Sequence, residues 1–491
     1  MRAMIASVLA AMVLAGTAGH AVAEDGGGSA DGVRWHASCA TGPDDELGSK
    51  LDEAKARCGE ISVPLDYRDP DGRHLTVAFS HLPAKDRADR IGALVLNDGG
   101  PGVGALGMPL RLRDTLGQYD LIGMDPRFTG RSTPLDCGWP TALHLRAAPT
   151  RAAFADALHL SRDLADRCSK DKDVLPHATT ANTARDMDRL RIALGEPRLH
   201  YLGYSYGSYL GMVYLQLFGQ YAGRFVLDGP VAPDRIGSDL LRETGPANEA
   251  ALRDWAQWAA GQDATYHLGR TPAQVVAGVQ ELISTAERRP LPVGEHRVDA
   301  GVLPVMLWML VPDDRPEGNA MLARVVMDLR AAARGESVDP DSPLMALAGF
   351  LLTGKESATA SALAAITCAD RATAVTARSA WPDIQRHRRT EPVFGSLVRN
   401  VGVCAYWPTR PVQTPVTIGN DRPALLITAT RDTRVTWDQA LASRRVLTGS
   451  RLLSVNARKH GLYREYGNAC VDRTTTEYLL TGRLPRADTT C

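Results

Sequence analysis

An α/β protein built on a mostly parallel sheet is predicted by three features of the sequence. Short apolar runs recur at 91–96, 119–124, 199–204, 224–227, 423–430 and 450–455, and each ends in a turn. Runs of this length, apolar on both faces, suit strands covered by helices on either side. Segments with helical periodicity separate several of them, as parallel neighbours require. A long middle stretch, 232–420, breaks the pattern and is helical in character. The prediction is a sheet flanked by helices, with a large and mainly helical lid inserted after the strand that follows residue 205.

Length and composition frame this reading. A chain of 491 residues is long enough for about two to three domain-sized units. A hydrophobic content of 44% and a charged content of 23% are ordinary for a soluble globular protein. The net charge is zero, so neither nucleic acid nor an anionic membrane is implied as a partner.

At the start, Arg2, an apolar run over 4–16 and Ala21-Val22-Ala23 before Glu24-Asp25 have the form of a secretory signal, residues 1–23, cleaved after Ala23. No Cys stands near that site, so a lipid-anchored form is not expected, and no other segment is apolar for long enough to span a bilayer. The expected location is extracellular. Residues 24–32 form a Gly-rich acidic leader expected to be disordered.

Eight Cys in an exported chain suggest disulfides rather than metal. Sequence leaves connectivity open; the simplest arrangement pairs neighbours, 39–58, 137–168, 368–404 and 470–491. The absence of C-x-x-C spacing argues against zinc or thioredoxin-like chemistry. No metal and no cofactor are expected.

Along the chain, 58–67 resembles an edge strand, and 74–82 alternates apolar and polar residues as a half-buried strand does. The run 91–96 suits a central strand. It ends in Asn97-Asp98-Gly99-Gly100-Pro101-Gly102-Val103-Gly104, where backbone can come very close to a ligand. The strand 119–124 ends in a second turn, Asp125 to Ser132. Helices are expected at 150–168 and 181–194. Asn182 or Thr183 could cap the latter, with Gly195 and Pro197 stopping it.

Next comes the stretch the rest is organised around, Leu199-His200-Tyr201-Leu202-Gly203-Tyr204-Ser205-Tyr206-Gly207-Ser208-Tyr209-Leu210-Gly211. It reads as strand, tight turn and helix, with the helix over 208–218. The turn holds Gly-x-Ser-x-Gly, which places a nucleophile at a strained tip and lets strand and helix approach closely. With 45 Gly in the chain the motif alone is weak, and its strand–turn–helix context gives it weight.

The strand 224–227 ends in Asp228-Gly229-Pro230. Lid helices are expected at 240–260, 272–286, 302–311, 318–334 and 361–367. Trp255, Trp258, Trp308, Trp381 and Trp407 lie in this region, either as core or as substrate contacts. The sheet pattern resumes at 423–430, followed by a helix at 437–447, a strand at 450–455 and a last helix near 474–480. The domain partition is therefore 24–231 and 421–491 for the core, with 232–420 as lid.

A serine hydroxyl needs a base, and the base needs an acid to hold its tautomer. Asp432 follows one resumed strand, and His460 follows the next. The chain order Ser205, Asp432, His460 is that of the α/β-hydrolase fold. Asp228 is the rival acid, otherwise a second-layer or substrate-contact candidate. The oxyanion hole is expected from the N–H of Tyr206 and one N–H of the Gly99-Gly100 turn, with Gly100 favoured. This chemistry is acyl transfer to water through an acyl-Ser205 intermediate.

Gly99-Gly100-Pro101-Gly102, Asp125-x-Arg127, Gly203-Tyr204-Ser205-Tyr206-Gly207, Asp228-Gly229 and the span from Asp432 to His460 resemble the secreted tripeptidyl aminopeptidases of actinobacteria. These belong with the proline iminopeptidases in the α/β-hydrolase superfamily. Residues 423–491 are similar to their TAP-like C-terminal region. The resemblance covers most of the chain after the signal and is poorest in the lid. It implies a serine exopeptidase that releases short peptides or single residues from a free N-terminus. One departure is Asp98, where proline iminopeptidases usually have His, which weakens strict proline specificity.

An aminopeptidase must also neutralise the substrate ammonium, which calls for one or two lid carboxylates; Glu243, Glu249, Asp254 and Asp263 are candidates among others, and the sequence does not choose between them. The alternatives are a secreted carboxylesterase with the same triad, favoured by a lid pocket without carboxylates, and a non-catalytic binding protein on the same scaffold.

Overall fold

The computed structural model describes residues 32–237 and 240–491. The expected signal sequence and all of the leader but Gly32 lie outside the described residues.

Seven strands precede the lid: β1 (Val33–Trp35), β2 (Arg57–Pro64), β3 (His74–Leu82), β4 (Gly92–Asn97), β5 (Tyr119–Met124), β6 (Leu199–Tyr204) and β7 (Ala222–Asp228). A small hairpin, β8 (Leu291–Val293) and β9 (His296–Val298), lies among the lid helices. Three strands follow: β10 (Leu425–Ala429), β11 (Arg451–Val455) and β12 (Thr489–Thr490). All but the hairpin join one ten-stranded sheet in the order β1-β2-β3-β5-β4-β6-β7-β10-β11-β12. The first three strands pair antiparallel, and β3 meets β5 antiparallel. Every pairing from β5 to β12 is parallel.

The parallel part is the reason the central strands are apolar throughout. Val95 faces one apolar cluster with Tyr201, Met212, Leu227 and Leu426, under helices Thr180–Ala193 and Tyr206–Phe218. Leu94 and Leu96, its neighbours in β4, face the other cluster with Leu202, Val226, Ile427 and Leu479. The stretch 232–420 supplies most of a separate core, which includes Trp255, Leu303, Val326 and Phe394. Helix Ser357–Asp370 is an exception within that stretch: Ala360, Ala364 and Ile366 pack into the sheet cluster instead.

Three expectations need correction. The sheet edge is β1, not the 58–67 strand, which lies second with Ile61 opposite Val33. A strand of three residues is too short for periodicity to reveal. Thr179, not Asn182 or Thr183, caps helix Thr180–Ala193, its hydroxyl accepting the Asn182 N–H at 3.2 Å. The elbow helix starts at Tyr206, directly after the serine. Helices Pro343–Leu351 and Ala377–His387 escaped the sequence reading; the second carries Pro382 inside it.

The disulfides join neighbours: Cys39–Cys58, Cys137–Cys168, Cys368–Cys404 and Cys470–Cys491. They close loops of 19 to 36 residues, each stabilising by about 3 kcal/mol through restriction of the unfolded chain. Among the described residues no helix is long and apolar enough to cross a membrane.

Candidate active site

Strand β6 delivers Ser205 to the head of helix Tyr206–Phe218. The serine has φ 54° and ψ −122°, a conformation that a residue with a side chain adopts only under constraint. The constraint is visible. The Ser205 N–H donates to the Asp228 carbonyl at 2.7 Å, and the Ser205 carbonyl accepts from the Ser208 N–H at 2.8 Å. The close packing explains the motif's glycines. A Cβ on Gly203 would lie 2.5 Å from the Gly207 carbonyl oxygen, and one on Gly207 would lie 2.6 Å from Asn97 Oδ1.

Asp432 stands in the turn after β10 and is 2% exposed. Its Oδ1 accepts the Arg434 N–H at 2.7 Å and the Val435 N–H at 3.3 Å. Its Oδ2 lies 2.7 Å from His460 Nδ1. The first two bonds fix the carboxylate, and the third holds the imidazole with Nδ1–H toward it. The His460 side chain remains 22% exposed. Both His460 Cε1 and the Ser205 backbone nitrogen lie within 4 Å of the point a Gly229 Cβ would occupy, at 3.3 and 3.7 Å. The ends of β6, β7, β10 and β11 thus converge on one spot, the carboxyl edge of the parallel sheet, where such sheets place their sites.

Asp228 does not pair with the imidazole. Its Oδ2 accepts the N–H groups of Leu462 and Tyr463 at 2.8 Å each. Burial pushes its carboxyl up to about 6.

The Gly99 N–H is engaged by Asn97 Oδ1 at 3.0 Å. The amides of Gly100 and Tyr206 have no protein acceptor among the described residues. A Cβ on Gly99 would sit 3.1 Å from Ser205 Cβ, so this turn presses directly on the serine. Gly102 is backed by helix Ser357–Asp370, at Thr359 and Leu363. The Gly99 N–H is therefore spent within the turn, whereas the Gly100 N–H is left without a protein acceptor. Asp98 is ion-paired with Arg111 at 2.8 Å, and Arg111 also reaches Glu465 at 3.3 Å.

The four carboxylates named above each have a partner within the protein. Glu243 pairs with Arg235. Buried Glu249 accepts the N–H groups of Val393 and Phe394 at 2.7 and 2.8 Å. Asp254 pairs with Arg458 at 2.8 Å and Arg431 at 3.0 Å. Asp263 accepts the Gly269 N–H at 2.8 Å. All five tryptophans have structural partners: Trp255 is buried and donates to the Asn319 carbonyl, Trp308 lies under the Arg434 guanidinium at 3.4 Å, Trp381 packs on Phe154, Trp258 on Tyr266, and Trp407 against the sheet cluster.

Sequence reading missed the residues that brace the loops. Arg458 is buried two residues before His460 and donates to Asp254, Asn319 and the carbonyls of Val311 and Asp313. Arg434 reaches Asn248 and the Trp308 carbonyl from the Asp432 turn. Residues between 248 and 319 thus fasten both the Asp432 turn and the His460 turn. The proximity of each Arg to a candidate residue was the available signal.

Residues 92–286 match the alpha/beta hydrolase fold family, and residues 391–491 match the TAP-like protein family. A tripeptidyl aminopeptidase of Streptomyces lividans is 32% identical over 461 residues, covering 89% of this chain and 83% of that protein. A Mycobacterium tuberculosis protein named serine protease Hip1 is 29% identical over 479 residues, covering 89% of this chain and 87% of its own. A protein of the same organism named carboxylesterase B is 29% identical over 472 residues, with 89% and 86% covered.

Proposed function

The chain belongs to the tripeptidyl aminopeptidase-like α/β hydrolases, and from that premise we propose that it is a secreted serine exopeptidase acting near a free peptide N-terminus. The observation that carries this reading is the His460–Asp432 hydrogen bond at 2.7 Å, on the loops that converge beside the constrained Ser205. Ser205 attacks the scissile carbonyl while His460 takes its proton; Asp432 stabilises the imidazolium. The amides of Tyr206 and Gly100 receive the oxyanion, and the head of helix Tyr206–Phe218 favours the same charge. His460 then protonates the leaving amine as the C–N bond breaks; in the second half it takes a proton from the water that attacks the acyl-Ser205 carbonyl and returns it to Ser205 Oγ as the ester bond breaks. Residues 24–231 and 421–491 serve as the hydrolase core, and 232–420 as the lid. The composition of residues 1–23 and the four disulfides support export, with cleavage after Ala23.

One observation favours a second reading, a carboxylesterase on the same triad. Glu243, Glu249, Asp254 and Asp263 are each engaged within the protein and do not offer a ready partner for a substrate ammonium. A single assay separates the two. A short Ala/Pro peptide with a chromogenic amine is offered with its N-terminus free and then acetylated, with Ser205→Ala as blank. Cleavage of the free form alone is expected. Equal cleavage of both forms refutes the exopeptidase, and turnover of a simple acyl ester alone moves the assignment to the esterase.

A further inference from the structure

The turn that carries His460 is gripped by the two residues that flank the nucleophile. Tyr204 stands immediately before Ser205 and donates its hydroxyl to the Tyr463 carbonyl at 2.8 Å. Asp228 Oδ2 accepts the Tyr463 N–H and the Leu462 N–H, both at 2.8 Å. Residue 463 is therefore held at both its N–H and its C=O. Through its own carbonyl Asp228 also accepts the Ser205 N–H at 2.7 Å. One residue is thus bonded to the nucleophile on one side and to the base-bearing turn on the other. Both grips are dry: Asp228 is 1% exposed and Tyr204 is 7% exposed.

The arrangement is costly. Asp228 Oδ1 is buried without a hydrogen-bond partner, and a buried carboxylate half-paired in this way opposes folding. An apolar residue would fill the space without that penalty but would leave two backbone N–H groups orphaned. Proton transfer between Ser205 and His460 demands hydrogen-bond reach, and a misplacement of about 1 Å lowers turnover roughly 10²-fold. Glycine stands between His460 and Leu462, with Gly461 at φ 77°, so the base has no stiff helix or strand of its own behind it.

We propose that Asp228, assisted by Tyr204, is a positioning residue that sets the separation of Ser205 and His460. This rests on the Ser205–His460–Asp432 reading above. Asp228 touches neither substrate nor reacting atoms in this role; it acts through the peptide groups of residues 462 and 463.

The test is steady-state kinetics on the free-N-terminus peptide, with melting temperature recorded for each variant. Asp228→Ala is expected to lower kcat about 10²-fold with KM within about twofold. Asp228→Asn keeps an acceptor oxygen for both N–H groups and is expected to recover kcat to within about fivefold of wild type. Asp228→Leu fills the space but accepts neither N–H and is expected to stay as low as Ala, so rescue by Asn and not by Leu is what a merely space-filling role would not show. Unchanged kcat in folded Asp228→Ala, a loss confined to KM, or an Asn variant no better than Ala overturns the proposal. If Asp228→Ala does not fold, Tyr204→Phe decides. Removal of its hydroxyl should lower kcat about fivefold to tenfold at constant KM, and an unaltered kcat overturns the proposal. Fluorophosphonate labelling separates the premises. Absence of wild-type labelling at Ser205 defeats the triad reading itself. Labelling with no kcat response at 228 or 204 defeats only the positioning role.

Discussion

His460 Nδ1 and Asp432 Oδ2 are 2.7 Å apart, and the carboxylate that makes this bond is held by two further backbone N–H groups. Such a carboxylate orients the ring and stabilises it when charged. Asp432→Asn preserves the shape but presents the wrong partner to Nδ1. It should lower kcat roughly 10³–10⁴-fold, with the folded state unchanged by circular dichroism. A loss of less than tenfold in a folded variant would remove Asp432 from the triad.

Gly99 makes a different kind of prediction. A Cβ there would lie 2.5 Å from the Tyr204 carbonyl oxygen, and the residue's φ is 88°. Neither obstacle can move without moving the nucleophile turn. Gly99→Ala should destabilise by about 2–4 kcal/mol in urea unfolding and abolish most activity. Gly138→Ala is the control. Its φ is 66° with nothing within 4 Å of a built Cβ, so backbone strain alone should cost about 1 kcal/mol and activity should persist. Equal effects at the two positions would show that close approach to the nucleophile turn is not what Gly99 supplies.

These two sites also mark what could be read without coordinates. Ser205, Asp432 and His460 each follow an apolar strand, and strands of a parallel sheet bring their carboxyl ends together, so order along the chain carried spatial information. The Gly99-Gly100 turn was legible for the same reason. The lid carboxylates were not. Whether Asp254 faces substrate or Arg458 depends on a partner 204 residues away, and Glu249 depends on amides 144 and 145 residues away. Periodicity is a local signal and holds nothing about such pairs. β1 failed for shortness, and helix Ala377–His387 for its internal Pro382.

Arg458 ties residues between 254 and 319 to the turn that carries His460. Its guanidinium is buried among four acceptors from the lid, and its own N–H donates to Asp314 Oδ2 at 2.7 Å. Removing it orphans the Val311 and Asp313 carbonyls and loosens the turn two residues before His460. Arg458→Met should cost about 3 kcal/mol in urea unfolding and lower kcat as well. Arg458→Lys should recover little, because one ammonium cannot serve acceptors spread around a planar fork. Full recovery by Lys would mean that charge alone matters here.

The last prediction concerns pH. Asp370 is buried at the end of helix Ser357–Asp370; its Oδ1 accepts the Thr180 N–H at 2.7 Å, and its Oδ2 accepts the Thr180 hydroxyl at 2.5 Å. That hydroxyl in turn meets the Tyr206 hydroxyl at 2.6 Å, beside the nucleophile. Burial pushes the Asp370 carboxyl up from 3.8 to about 7. Between those values the folded protein holds a proton that the unfolded chain has released, so the folded state binds more protons. Stability from this group is therefore complete below pH 3.8 and declines as pH rises, reaching its floor above about 7. Asp370→Asn cannot ionise and escapes the decline. Relative to wild type, the variant should gain about 2 kcal/mol between pH 5 and pH 8 in urea unfolding. Taking the difference between the two proteins cancels the titration of every other group. A difference that stays constant between pH 5 and pH 8 would mean that Asp370 is already ionised in the folded protein at pH 5 and that its two bonds from Thr180 outweigh its burial.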